Sequence, residues 1–241
     1  MAVRRTTPGK VISLTFKIIF VALIVFVNGL LIWRMISSGV PSAMKGFTAN
    51  AKAAEAYQTY LLQLQDYNEK GNAGGGEKPM YAYNQAQAEI TRSKEAYGYF
   101  SVHQVIIIPE AKQIQLVYRY NKSTLKHLKE DYELENVPDA SEEPFEASLL
   151  LTTLNSDSQT RIYPTSTTRK NTTLYCYYRL VFDNVDITAS TEGVFLDIYY
   201  KEDLNYSHSA YGTLCLYDYK STRIEYKLSS KDIKALESFL N

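Results

Sequence analysis

One long apolar run stands near the N-terminus of this 241-residue chain. Residues 18–33 read IIFVALIVFVNGLLIW without a charge, and extension back to Val11 adds Lys17 as the only charged side chain. A helix of that length reaches about 35 Å, which exceeds the ~30 Å hydrocarbon core of a bilayer. We therefore predict a transmembrane helix over residues 11–35, preceded by a cytoplasmic tail of residues 1–10.

The flanks of the run indicate its orientation. Lys17 suits the cytoplasmic interface, and Trp33 with Arg34 suits the opposite one, where indole rings gather. The excess of basic residues before the run favours a cytoplasmic N-terminus, a single pass through the cell membrane and an extracytoplasmic main domain. A cleaved signal peptide and a buried helix of a soluble fold are the alternatives. The basic residues before the uncharged part of the run are Arg4, Arg5, Lys10 and Lys17.

The next region has a helical period. In residues 42–69 apolar side chains recur at steps of three and four residues, which is typical of an amphipathic helix. Residues 71–78 are Gly-rich and predict a linker, and residues 81–99 repeat the helical pattern. We expect residues 42–99 to form a helical stalk or hairpin. The recurring apolar positions of the first stretch are Phe47, Ala51, Ala54, Tyr57, Leu61 and Leu64.

From about residue 101 the period changes to two, as in a strand with one buried face. Eight such segments follow without evident helical crossovers, which disfavours parallel pairing. We predict an antiparallel β-sandwich of immunoglobulin-like type over residues 101–228, with a closed barrel as the alternative. The predicted strands are 104–108, 113–120, 146–154, 159–163, 174–182, 194–200, 213–219 and 224–228.

Three segments of this region depart from the strand pattern. Residues 122–131 predict a short helix, and residues 165–173 predict a polar loop. Ser229 and Asp232 have the spacing of a capping box, which predicts a C-terminal helix over residues 229–241. The predicted fold class is therefore membrane-anchored α+β.

Charge divides the chain although its net charge is zero. Residues 1–45 hold six basic and no acidic side chains, and the remainder holds 20 basic and 26 acidic ones. Because the basic excess flanks the apolar run rather than the folded domain, we expect no nucleic-acid partner. Residues 130–146 carry eight acidic side chains and no Lys or Arg, which indicates a solvated loop.

Candidate catalytic residues are few. The histidines are His103, His127 and His208, and no pair has the four-residue spacing of a helical zinc site. A histidine-dependent enzyme would need one of them beside a nucleophile and a carboxylate. We therefore expect a protein that is not an enzyme, without catalytic or cofactor-binding residues and without a cofactor.

A cluster of oxygen ligands is the nearest approach to a metal site. Asp183, Asn184 and Asp186 end a predicted strand, and calcium prefers such ligands. Their spacing does not match a calcium-binding loop, and such residues are common in turns. We expect no metal site here.

Cys176 and Cys215 both fall in predicted strands. Outside the cytoplasm they could form a disulfide. Cys176 alternates with core residues, whereas Cys215 stands between Leu214 and Leu216 and is expected to face the other way. A disulfide and two free thiols both stay open.

Tyrosine is unusually abundant, with 21 copies. Tyr175, Tyr177 and Tyr199 alternate with apolar residues in their strands, so an exposed tyrosine face is one interpretation, and such a face suits protein contacts. The other is that Tyr is simply a good strand former.

The sequence favours a non-enzymatic binding module that meets the lipid bilayer and a protein or envelope partner. An accessory subunit of a membrane complex is the first alternative, because Asn28 and Gly29 interrupt the apolar run and suit helix–helix contact. A secreted enzyme acting on envelope polymer is the second alternative.

Overall fold

The computed structural model describes residues 8–70, 77–85, 100–154, 156–202 and 212–240. It divides into two compact units, Met1–Gly39 and Val40–Asn241. In the described residues the chain is α+β. Its helices are α1 (Pro8–Ser38), α2 (Ala51–Lys70), α3 (Thr124–Asp131) and α4 (Ser230–Glu237). Its strands are β1 (Tyr83–Gln85), β2 (Phe100–Ile108), β3 (Gln113–Asn121), β4 (Phe145–Thr153), β5 (Ser156–Ile162), β6 (Ser166–Asn171), β7 (Tyr175–Phe182), β8 (Thr191–Tyr200), β9 (Gly212–Asp218) and β10 (Arg223–Glu225).

The first unit contains the apolar helix α1. Its window Thr15–Trp33 has a mean hydropathy of 2.4, is long and apolar enough to cross a membrane, and has no buried part. Lys17 and Trp33 have exposed side chains, and Arg34 follows within the same helix.

The second unit contains two antiparallel sheets. The six-stranded sheet has the order β10-β1-β2-β3-β7-β6, and the four-stranded sheet has the order β5-β4-β8-β9. Leu116 pairs with Leu180 in the first sheet, and Leu149 pairs with Leu196 in the second. Strands matching all eight predicted segments are present, although β10 is only three residues long.

The main core joins the two sheets. Alternate residues of β3, β4, β7, β8 and β9 belong to one buried cluster, as the period of two requires. The predicted inward face of β3 is confirmed, because all four of its members are buried in this cluster. They are Ile114, Leu116, Tyr118 and Tyr120.

Residues 40–50, called here the strap, cross the outer face of the six-stranded sheet and contain only a short 3-10 helix, Ser42–Met44, where an α-helix was predicted. Gln104 accepts from the Gly46 amide (3.2 Å) and donates to its carbonyl (3.1 Å). Gln115 makes the same reciprocal pair with Thr48, at 2.8 and 2.7 Å. The helix predicted from residue 42 begins only at Ala51, after Asn50, whose side chain accepts from the Ala53 amide (2.9 Å).

Met44 anchors the strap by its side chain. It is buried against Val117 and Tyr177, on the outer face of the sheet. On the same face Arg179 donates to the carbonyls of Ala43 (3.0 Å) and Lys45 (2.9 Å). Side chains of the sheet thus provide hydrogen-bond partners for the backbone of the strap, which is not paired with a strand.

Helix α2 does not stand apart from the sheets as a stalk would. Ala53, Ala54 and Tyr57 are buried in a second cluster with Ile106 of β2 and Leu236 of α4. Alanine suits this place because its small side chain lets a helix approach a sheet closely. The first half of α2 therefore belongs to the folded domain, and only its second half is largely exposed.

Two further predictions need correction. Tyr83–Gln85, placed in a second helix, form β1 between β10 and β2, and residues 86–99 of that predicted helix lie outside the described residues. Residues 165–173, expected as a polar loop, contain the edge strand β6, which pairs with β7. The Gly-rich residues 71–76 also lie outside the described part.

The predicted short helices are confirmed. Helix α3 covers most of residues 122–131. Helix α4 begins with the expected capping box, in which Ser229 Oγ accepts from the Asp232 amide (3.2 Å) and Asp232 Oδ2 accepts from the Ser229 amide (2.9 Å). Such a box satisfies donors at the first turn of a helix, which has no intrahelical acceptors for them.

Candidate functional site

The predicted tyrosine face is not a single exposed surface. Tyr175 and Tyr177 lie on the outer face of the six-stranded sheet, whereas Tyr199 belongs to the four-stranded sheet. Tyr177 is 0% exposed because Met44 packs on it, and Tyr199 is only 7% exposed. Only Tyr175 keeps appreciable exposure.

Most described tyrosines of the sheets serve as core residues instead. Tyr118 and Tyr178 stack with ring centroids 5.1 Å apart, and Tyr120 packs edge-on against Phe145 at 4.9 Å. Burial raises the pKa of Tyr118 and of Tyr178. The abundance of tyrosine therefore reflects large apolar rings that fill the space between the sheets.

Arg119 organises the exposed end of the outer face. Its guanidinium lies 4.0 Å from the ring centroid of Tyr175, a cation–π contact, and donates to the Tyr177 hydroxyl (3.1 Å). Desolvation and the Arg119 charge lower the pKa of the neighbouring His103 to about 4. His103 is therefore neutral near pH 7.

A hydrogen-bonded network holds Tyr199. Arg161 donates to the Tyr199 hydroxyl (2.6 Å), which in turn donates to Asp197 Oδ2 (3.0 Å). Arg161 also donates to Ser148 Oγ (2.6 Å), and Thr213 donates to Asp197 Oδ1 (3.0 Å). These contacts give the buried Asp197 carboxylate its hydrogen-bond donors and a neighbouring positive charge. A structural role is therefore enough to explain the network.

The two cysteines are free thiols. Cys176 is buried between the sheets, and Cys215 is paired with Phe195 on the other side of the four-stranded sheet from Leu214. The disulfide is therefore not formed, because the two side chains lie on different faces of different sheets. Burial raises the pKa of each thiol.

The described histidines lie apart. His103 is on β2, 3.5 Å from Ser101 Oγ, and His127 is on α3, 3.6 Å from Glu130. His208 lies outside the described residues. Among residues 8–70, 77–85, 100–154, 156–202 and 212–240, no group of three or more metal-ligating side chains comes together.

Lysines occupy the oxygen-rich strand end. Lys112 Nζ donates to Asp186 Oδ2 (2.9 Å), and Lys52 Nζ donates to Asn184 Oδ1 (3.2 Å). Asp183 accepts from Gln113 Nε2 (2.8 Å). The negative charge there is thus balanced by ammonium groups of the protein itself.

The structure also has a cavity that the sequence did not predict. It measures about 310 Å³ and opens between the two sheets on the side of β4 and β6, and it is called here the inter-sheet cavity. Its lining residues are Tyr118, Glu143, Phe145, Glu146, Ala147, Tyr163, Pro164, Thr167, Tyr178, Leu180 and Lys201.

One of the inward residues that line the cavity is small. Ala147 occupies an inward position of β4 between Phe145 and Leu149, both large and both in the core. It lines the cavity together with Tyr178 and Leu180 of β7. The innermost lining residues are therefore aromatic or apolar, and Tyr178 and Leu180 are each at most 3% exposed.

The rim of the cavity is charged. Arg169 of β6 donates to Glu143 Oε1 and to the Ser141 carbonyl, both at 3.0 Å. These bonds fix the turn that precedes β4, in which Glu143 takes a left-handed conformation with φ of 53°. Lys201 also lines the cavity, and its backbone amide donates to the Pro144 carbonyl (2.8 Å).

Sequence reasoning missed every residue of this cavity as a site. One available signal was the acidic run of residues 130–146, which supplies Glu143 and Glu146. Another was Ala147, a small residue among large ones in an alternating strand. Neither signal shows which strand lies opposite β4, so neither could locate the cavity.

No family model, curated protein or solved structure matches this chain.

Proposed function

We propose that this protein is a single-pass membrane protein whose immunoglobulin-like β-sandwich lies outside the cytoplasm and acts as a non-enzymatic binding module. Its binding site is the inter-sheet cavity. The observation that carries the proposal is this cavity, which combines an aromatic floor with a charged rim and is lined from both sheets.

Helix α1 supports the membrane anchor. Its window Thr15–Trp33 is uncharged apart from Lys17, and the basic residues before it favour a cytoplasmic N-terminus. Only Gly39 stands between the end of α1 at Ser38 and the strap, which begins at Val40.

The two sheets support a sandwich. Every strand pair among the described residues is antiparallel, and inward residues of both sheets form one core cluster. A rigid core of this kind can hold a cavity rim in place, since the rim residues come from strand ends and short turns.

The binding role can be tested by photo-cross-linking in native membranes. Tyr163 lines the rim and is 46% exposed, and Tyr219 is 44% exposed but does not line the cavity. We expect p-benzoylphenylalanine at position 163 to form a discrete adduct that position 219 does not form. Equal labelling from both positions, or none from position 163, contradicts the cavity as the binding site.

The topology needs a separate test. We expect Glu142→Cys, at an exposed position in the turn before β4, to react with a membrane-impermeant maleimide on intact cells. Thr6→Cys, in the predicted tail, should react only after permeabilisation. The opposite pattern overturns the extracytoplasmic location and leaves the cavity itself unaffected.

An accessory subunit is the second candidate, and it concerns α1 rather than the cavity. Asn28 Nδ2 donates to the Ile24 carbonyl (2.8 Å), and a Cβ atom at Gly29 would meet no atom within 4 Å. A polar residue beside a glycine suits contact with another transmembrane helix. If Asn28→Leu leaves the size of the native complex unchanged on a blue native gel, this candidate fails.

A further inference from the structure

We infer that the outer edge of strand β6 binds an extended peptide segment of a partner protein, which pairs with β6 through its backbone and places an acidic side chain opposite Lys170. This site goes beyond the proposed function, because it is an edge of the six-stranded sheet and is separate from the inter-sheet cavity. The backbone pattern of β6, its exposure and its charge each support the inference.

The backbone groups of β6 alternate between two directions. At the hairpin that joins β6 to β7, the Thr172 amide donates to the Tyr175 carbonyl (2.9 Å). Hydrogen-bonded pairs recur at every second residue of an antiparallel ladder, so the even-numbered residues of β6 turn their amides and carbonyls toward β7. The residues between them turn these groups away from β7, and they are Thr167, Arg169 and Asn171.

The outward groups of β6 have no partner strand. Within the part of the chain that the structure describes, β6 forms backbone hydrogen bonds only with β7. Five of its six residues are exposed, so no other described segment covers it. A row of unpaired amides and carbonyls at strand spacing is a template for one more strand, and an extended peptide backbone is the ligand that matches it.

The register of β6 is more regular than that of the other edge strands. Its six residues pair with β7 without a shift. A register shift interrupts the pairing of β5 with β4 and of β9 with β8, and β10 has only three residues. Bulges and short strands are common means of protecting a sheet edge, and β6 has neither of them.

The charge of the edge selects the partner. Lys170 is exposed beside Tyr177 on the outer face of the sheet, and it makes no ion pair within the described residues. Neither β6 nor β7 contains an acidic residue. Two copies of β6 paired edge to edge would bring Arg169 and Lys170 of both strands together, which disfavours a second copy of this chain as the partner. An acidic side chain on the added strand is attracted instead.

The probe is the peptide acetyl-TVETVT-amide, added to the full-length protein in nanodiscs of uncharged lipid. Amide hydrogen exchange is read residue by residue with and without a saturating concentration of the peptide. We expect the amides of Thr167, Arg169 and Asn171 to exchange at least about tenfold more slowly with the peptide, because they gain acceptors. The amides of Thr168 and Lys170 already donate to β7 and should change little. Equal slowing along the whole strand, or none, overturns the inference.

Asn171→Pro tests the backbone directly, because proline has no amide hydrogen to donate. We expect the affinity for the fluorescently labelled peptide, measured by polarisation, to fall at least about tenfold. Asn171→Ala is the matched control, since it removes the same side chain and keeps the amide. Equal losses in the two variants overturn the inference.

A modified peptide leaves the protein unchanged and so does not depend on the folding of a variant. The same peptide with every amide nitrogen methylated cannot donate a hydrogen bond to β6. We expect it not to bind at concentrations that saturate the parent peptide. Binding of the methylated peptide with similar affinity contradicts recognition through the backbone.

Lys170→Glu tests the charge. We expect this variant to bind acetyl-TVETVT-amide more weakly and acetyl-TVKTVT-amide more tightly, each by up to about fivefold. Lys231→Glu, at an exposed position of α4, is the control for the change in net charge. The same changes in the control overturn the choice of an acidic partner.

Two further outcomes separate the edge from the cavity and from self-association. Ala147→Leu adds volume to the cavity lining and should leave both the peptide affinity and the protection of Asn171 unchanged. A loss of peptide binding in this variant would place the peptide in the cavity and overturn the edge site. If the outward amides are protected without peptide and lose that protection on dilution, a second copy occupies the edge and the inference fails.

Discussion

The two faces of β3 are both buried, but by different means. Its inward side chains, such as Leu116 and Tyr118, pack in the apolar core between the sheets. Its outward side chains Gln113 and Gln115 are also buried. Gln115 is covered by the strap, and its side-chain amide forms hydrogen bonds with the backbone of Thr48. Burial on the inward face thus follows from alternation along the strand, whereas burial on the outward face depends on a distant segment of the chain.

The largest expected effect comes from the inward face. Leu116→Ala removes a fully buried side chain and leaves a cavity, so we expect the free energy of unfolding to fall by about 2–5 kcal/mol. Urea denaturation followed by the near-ultraviolet circular dichroism of the buried tyrosines measures this. Ile224→Ala, at an exposed position of β10, should change the stability little. Equal effects at both positions would contradict the description of the core.

Gln115→Ala tests the outward face. It leaves the amide and carbonyl of Thr48 without their side-chain partner, and we expect a cost of about 1–3 kcal/mol. Amide hydrogen exchange at Thr48 should become faster while exchange at Leu116 changes only by the global loss of stability. Gln65→Ala, on the exposed half of α2, is the control. Unchanged protection at Thr48 would show that the strap is held by other contacts.

Two variants that each remove one tyrosine hydroxyl should differ in their effect on stability. Tyr199→Phe removes an acceptor for Arg161 and a donor to the buried Asp197, so we expect a loss of about 1–3 kcal/mol. Tyr178→Phe removes a hydroxyl that makes no well-formed hydrogen bond in the described part of the structure, so stability should be unchanged or higher. Urea denaturation of both variants checks the ranking. A larger loss from Tyr178→Phe would reverse it.

The smallest expected effect concerns the pH response of the outer face. The pKa of His103 is lowered from 6.5 to about 4 in the folded protein, so between these values the unfolded chain binds more protons than the folded one. This residue therefore makes stability rise with pH from about 4 to 6.5. We expect His103→Gln to reduce that rise in melting temperature, compared with His127→Gln on α3. An identical profile for the two variants would mean that Arg119 and desolvation do not act on His103.

Much of the sheet could be predicted from the sequence because alternation records one buried face. The inward residues of β3, β7 and β8 follow that rule, and the capping box at Ser229 records a local hydrogen-bond pattern. Strand β6 could not be predicted in this way. Its side chains are mostly exposed and polar, and it is a strand because its backbone pairs with β7.

The strap and the cavity were not predictable because they depend on contacts between distant segments. Gln115 and Thr48 are 67 residues apart, and nothing local marks Met44 as the side chain that covers Tyr177. The same contact explains why Tyr177 is buried, since alternation gives the face of a strand but not what covers it. The cavity is lined by Ala147 of β4 together with residues of β7, and the sequence does not show that these two strands lie opposite each other.

The most direct test of the proposed function is the photo-cross-link from position 163 in native membranes, measured with and without Ala147→Leu in the same full-length chain. If the inter-sheet cavity is the binding site, the adduct forms in the parent chain and is lost when the larger leucine side chain fills the cavity, while the amount of protein in the membrane stays the same. An adduct of undiminished yield in the Ala147→Leu chain would contradict the account.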